Sequence, residues 1–191
     1  MRIPTTRLLI LLSAATLGAA VLDTFVRMAP VERHEYFYNA DLLYLPSLFA
    51  DLARGGSIGD WRFSNAPYLF PDIALFLPLW AFTPNMFIAI ALFGAIQLLL
   101  LLGGFAWLAG RVAGQPAAAL GLVCGATFCA AIGRSGPAYS LAIVSVFHVG
   151  LLVVLPFALI VAGALLSAGP GRRRAWLLAA LALLTGLTVA S

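Results

Sequence analysis

Residues 39–72 read NADLLYLPSLFADLARGGSIGDWRFSNAPYLFPD, and the rest of the chain is interpreted around them. These 34 positions hold four of the seven acidic residues, two of the eleven basic ones and three prolines. Their surroundings are oily. The 191-residue chain is 63% hydrophobic and 9% charged, with a mean hydropathy of +1.04. A soluble domain covers its surface with about 25% charged residues. The composition excludes that class and predicts an all-α, polytopic transmembrane helical bundle. The net charge of +4 comes from arginines, with no lysine. In so apolar a chain, such a balance reports topology and contact with membrane lipids, and nucleic acid is not implied.

Working outward from the polar island, runs of about 20 apolar residues mark spanning helices. About five are expected, near residues 8–26, 86–109, 117–132, 141–166 and 175–191. They leave 27–85 as one long loop. Residues 1–191 thus read as one helical membrane domain. The last span stops at Ser191 without a flanking loop, charge or aromatic anchor. That reads as the N-terminal portion of a longer protein. Arg2, Arg7 and the leucine-rich run after them also resemble a secretory signal. The apolar stretch continues through Val21 and Leu22, and a retained helix is the reading adopted.

Arginine placement orients the bundle. With a cytoplasmic N-terminus, the inside segments 1–7, 110–116 and 168–174 hold six arginines in 21 residues. The outside segments 27–72 and 133–140 hold five in 54. The bias follows the positive-inside rule, and GRRR at 171–174 marks it most clearly. The expected location is the inner (plasma) membrane, with loop 27–85 facing the periplasm or its equivalent. Trp107 and Trp176 then fall at the inner interface, and Trp61 and Trp80 near the outer one.

Within the loop, Asp41, Ser47, Asp51 and Arg54 fall on one side of a helical pattern. Leu42, Leu45, Leu48, Phe49 and Leu52 fall on the other. This predicts an interfacial helix with its apolar face in lipid. Pro46 either starts that helix or kinks it, and GGS at 55–57 ends it. The segment 73–85, interrupted by Pro78 and Pro84, is too short to cross and reads as a juxtamembrane or re-entrant helix. GRVAG at 110–114 and GLVCG at 121–125 are small-xxx-small patterns. The second suits close helix packing. Asp23 and Arg27 are spaced for a helical ion pair, and Cys124 and Cys129 read as core cysteines.

An outward loop with two interfacial helices, opened by Asp41 near Tyr44 and continuing through LFADLARGG, GDW at 59–61 and PYLFPD at 67–72, resembles the polytopic GT-C glycosyltransferases. That family moves sugars from polyprenyl-phosphate carriers. The resemblance implies a lipid-linked sugar donor as partner and an acceptor on the outward side. By its spacing to Tyr44, three residues on, Asp41 matches the Glu of the family's usual Asp-Glu pair. Here Asp41 stands alone, with Leu42 after it, and the second outward loop, GRSGPAYS at 133–140, carries no acid.

On this reading Asp41 is the general base that accepts a proton from the attacking hydroxyl. Tyr44, Arg62, Tyr68 and Asp72, from the same stretch, are candidate substrate-binding residues. Asp72 also reads as an N-cap for the apolar segment after it. Arg134 is placed to pair with the carrier phosphate. His148, about two turns into the fourth span, is an ionisable group inside an apolar segment. No Walker loop, dinucleotide fingerprint or catalytic-triad spacing is present, and ERHE at 32–35 leads into HEYFY, which lacks the second histidine of a zinc helix. No cofactor or metal site is implied. Two other readings stand beside the enzyme. One is a membrane transporter or lipid flippase, against which the lack of mid-membrane charge in the first three spans counts. The other is a non-catalytic membrane scaffold subunit.

Overall fold

The computed structural model describes residues 5–28, 40–62, 69–83, 85–132 and 149–189, and every regular element among them is helical. Seven α-helices follow in order: α1 (Thr5–Met28), α2 (Ala40–Ala53), α3 (Ala74–Phe82), α4 (Met86–Ala113), α5 (Gln115–Ile132), α6 (Val149–Leu166) and α7 (Arg172–Val189). In α6 it describes only the later part of the expected span, because 141–148 lie outside these residues.

Among the described residues, two helices are long and apolar enough to cross a membrane: 23 residues of α1 and all 28 of α4. At 1.5 Å per residue these run to about 35 and 42 Å, against roughly 30 Å of hydrocarbon. The helices α5, α6 and α7 have 18 residues each, about 27 Å. Much of the exterior is apolar. In α1 alone Leu8, Leu9, Leu11, Leu12, Leu22 and Val26 are exposed.

The helix α4 is the spine of the bundle. On one side it packs with α1 and α5, on another with α6, and α6 pairs with α7. The GLVCG pattern does what its spacing predicts. A Cβ on Gly121 would sit 3.1 Å from the Ala106 Cα of α4, a backbone atom that has little room to yield. Across the other face, the fully buried Pro156 of α6 meets α4 at Gly104, and Phe157 lies edge-on to Trp107 at 6.0 Å. The Asp23–Arg27 pair forms as spaced, at 2.8 Å. Of the two cysteines only Cys129 is buried, and Cys124 points outward, which corrects the expectation of two core thiols.

The connector between α1 and α4 decides where the polar island sits. The helix α2 begins at Ala40 and carries Pro46 in its interior, so the proline does not start it. Its stripe is as expected, with Leu45, Leu48 and Phe49 buried and Ser47 and Arg54 exposed. The partner differs from the expectation. The apolar face lies on protein, where Phe49 stacks on Phe76 and Trp80 of α3 at 5.8 and 6.4 Å. Three aromatic rings leave that face little need for lipid.

The segment after the island doubles back. The helix α3 is nine residues long and ends at Thr83, and Asn85 then caps α4 by accepting hydrogen bonds from the Phe87 and Ile88 amides. Two contacts give the register of this hairpin: Asp72 with Gln97 and Phe76 with Phe93, both pairs of numbers summing to 169. The helix α3 therefore runs antiparallel along α4, and its buried start lies well down the spine. Residues 74–82 thus form a short helix folded back on α4.

Candidate functional site

The polar island is built on α2. Positions 41, 44 and 51 follow one another at helical spacings of three and seven, so they lie on one side of it. Glycines 55 and 56 end the helix. The Arg54 and Gly56 amides both donate to the Asp51 carbonyl, and Gly55 takes a φ of 92°. The chain then enters a short 3-10 turn, Ile58–Asp60. Ser57 opens this turn by accepting a hydrogen bond from the Gly59 amide at 3.2 Å.

The turn returns Trp61 to α2. Its indole Nε1 donates to Asp51 Oδ2 at 2.8 Å, ten residues back, and its ring meets Tyr44 edge-on at 5.6 Å and 87°. Residues 44 and 51 are seven apart, two turns on one face, and the indole bridges them. Gly56 leaves room for this bond, because a Cβ at that position would overlap the Asp51 carboxylate and displace it. The strings LARGG and GDW are thus two halves of one knot: a carboxylate folded over a glycine to hold an indole. Replacing Trp61 by Phe keeps a ring against Tyr44 and removes the donor. The expected cost is about 1 kcal/mol, for a hydrogen bond that is partly exposed. It is read as a lower melting temperature of the protein in detergent.

A second polar group is buried in the bundle. Gln97 Nε2 donates to Asp72 Oδ1 at 2.8 Å, with both residues almost fully enclosed at 2% and 4% exposure. This corrects the reading of Asp72 as an N-cap. The residue at the cap position of α3 is Ile73, which makes no side-chain cap bond. Phe70, with extended φ and ψ of −139° and 134°, breaks the Leu69–Ile73 turn out of helical geometry, and the Asp72 side chain goes to the spine helix. The same turn packs against α6 and α7. Gln97 Oε1 is buried and accepts no hydrogen bond among the described residues. Gln97 lies 11 residues past Met86, about 16 Å along α4.

The sequence-predicted residues divide as follows. Asp41 is in the first turn of α2, one turn before Tyr44, and its side chain lies outside the described residues. Tyr44 is half-buried within the knot, and Arg62 is exposed immediately after Trp61. Asp72 is deep in the bundle. Tyr68, Arg134 and His148 lie outside the described residues. Asp51 and Gln97 were not singled out by sequence reasoning. The signal for Gln97 was available: it is the one polar residue between Met86 and Arg111 of α4.

No group of three or more histidine, cysteine or acidic side chains placed to hold a metal occurs among the described residues. The knot can present an ordered polar ledge, with Tyr44 and the Asp41 position on the same stripe as Asp51. Comparison with protein-family models, with curated proteins and with solved structures finds no match to this chain.

Proposed function

We propose that the protein is an integral membrane glycosyltransferase of GT-C type, moving a sugar from a polyprenyl-phosphate carrier to an acceptor on the periplasmic side of the inner membrane. One observation carries this reading. Tyr44, LARGG and GDW, whose order along the chain supplies the resemblance, fold into a single unit on the stripe of α2 that also holds position 41. An ordered ledge beside an acid is what positioned transfer chemistry needs. The long apolar helices and the leucine-rich exterior support a bilayer setting. Arginine density supports a cytoplasmic N-terminus and five spans.

In this reaction an acceptor hydroxyl attacks the anomeric carbon. Its proton passes to the Asp41 carboxylate, the new glycosidic bond forms, and the sugar–phosphate C–O bond breaks with its electron pair leaving on the carrier phosphate. Arg134 would neutralise that departing charge, and Tyr44, Arg62, Tyr68, Asp72 and His148 would contact the substrates.

A membrane transporter or lipid flippase is the second reading, and the buried Asp72–Gln97 pair favours it. With α4 across a bilayer, this pair lies about half-way through the hydrocarbon. The sequence suggested no charge at such depth in the first three spans, and intramembrane ionisable residues commonly mark pathways. One reconstitution separates the two. Liposomes containing the protein receive a polyprenyl-phosphate hexose labelled in the sugar, with a membrane extract as acceptor source. The proposal expects label in a covalent product, with carrier phosphate released. Movement of the intact lipid-linked sugar between leaflets, with no product, supports transport and contradicts transfer.

A further inference from the structure

Every acidic residue of the chain lies at or before Asp72, so the 119 residues that follow carry arginines and no carboxylate. Two of those arginines border one cleft. Arg111, in the last turn of α4, and Arg173, in the first turn of α7, line one cleft of about 400 Å³ against α6. Its walls include Leu108, Leu159 and Ile160, and the Ser167 hydroxyl stands at the same end. The described acids are remote. Asp72 is held at Gln97, 14 residues or about 21 Å up α4 from Arg111. Ile10 of α1 lies in a neighbouring cleft with Arg111, which puts Asp23 about 20 Å further along α1.

Two guanidiniums facing one cleft repel each other, and among the described residues no carboxylate stands near to offset them. Arg172, Arg173 and Arg174 also crowd the first turn of α7, the positive end of its dipole, where cations are disfavoured. What would relieve both is an anion. A forked guanidinium suits phosphate oxygens, and the aliphatic walls suit a hydrocarbon chain.

We propose that this cleft binds an anionic phospholipid, its phosphate between Arg111 and Arg173 and an acyl chain along Leu108, Leu159 and Ile160. The inference rests on the bilayer setting of the bundle and is independent of sugar transfer. It adds a lipid site at the end of the bundle opposite the α2 knot. A basic pocket between helices is a known form of headgroup recognition.

The test uses the full chain purified in a neutral detergent. Binding of phosphatidylglycerol, phosphatidylcholine and inorganic phosphate is measured by native mass spectrometry and by shift of the melting temperature. Phosphatidylglycerol should bind and raise the melting temperature, while phosphatidylcholine and inorganic phosphate should not. The double variant Arg111→Gln/Arg173→Gln should weaken phosphatidylglycerol binding roughly 20-fold, at the usual worth of a basic residue near an anionic surface. The variant Arg172→Gln/Arg174→Gln removes the same charge beside the cleft and should lose less than about 3-fold. If the first double variant does not purify, Arg173→Gln alone should lose roughly 5-fold. Equal losses in the two double variants would show diffuse attraction and overturn the site. So would equal binding of phosphatidylcholine, saturation by inorganic phosphate alone, or wild-type binding by Arg173→Gln.

Discussion

On the proposed function, Asp41→Asn should lower sugar transfer by about 10²- to 10⁴-fold while the protein still inserts and purifies. The range is the usual contribution of a positioned general base. Asparagine keeps the size of the side chain and cannot take the acceptor's proton. The loss should fall on kcat more than on KM, because the proton moves only as the new bond forms. Position 41 is in the first turn of α2, so the exchange disturbs no helix interior. Asp60→Asn is the matched control: Asp60 is exposed in the 3-10 turn and should leave transfer within about twofold. Transfer by Asp41→Asn at the wild-type rate would remove the assignment of the base. The measurement is single-turnover formation of product from a labelled polyprenyl-phosphate sugar.

Asp72→Ala should be the most destabilising single change in the bundle, and more so than Gln97→Leu. The reason is the asymmetry of what each leaves behind. Hydrogen bonds between helices in a bilayer are worth only about 0.6 kcal/mol on average. A buried polar group left without a partner costs about 1–3 kcal/mol. Removing Asp72 strands the Gln97 Nε2 donor beside an Oε1 that already has no acceptor role among the described residues. Gln97→Leu deletes that buried carbonyl together with the donor, and Asp72 keeps a further interaction of its own. Expected costs are about 3 kcal/mol for Asp72→Ala and about 1 kcal/mol for Gln97→Leu. The double variant should recover at least about 1 kcal/mol relative to Asp72→Ala, because no amide remains to be stranded. Denaturation midpoints in mixed detergent micelles give the comparison. Additive costs would mean that the 2.8 Å contact carries no coupling.

Both predictions concern groups that the sequence disclosed unequally. The stripe of α2 was legible, because alternation of Leu45, Leu48 and Phe49 with Ser47, Asp51 and Arg54 is a local, periodic signal. What covers the stripe was not. A helix with one oily face is satisfied equally by lipid or by protein, and only the fold-back of α3 brings Phe76 and Trp80 onto Phe49. The GG and GDW strings could be seen, and their meaning could not. Asp51 reaches Trp61 across a non-helical turn, so no period links them.

Asp72 is the sharpest case. An acid before an apolar run ordinarily caps a helix. The extended backbone at Phe70 and a hairpin pairing 72 with 97 override that preference. Gln97 stood alone in an apolar helix, which is a cost that sequences seldom carry without a partner. Read that way it announces a buried contact without saying which residue answers it. The small-residue pattern at 121–125 and the Asp23–Arg27 spacing were predictable because each depends only on neighbours along a helix or on backbone approach.

The account turns on the side of the membrane that the α2 knot faces. Ile58 is half-exposed in the 3-10 turn, and only its backbone carbonyl takes part in the cap, so Ile58→Cys is a mild reporter. It is placed in a background with Cys124→Ser and Cys129→Ala, and intact cells are treated with a membrane-impermeant maleimide. The account predicts full labelling without permeabilisation. Labelling that appears only after the cells are opened would put the knot in the cytosol and contradict it.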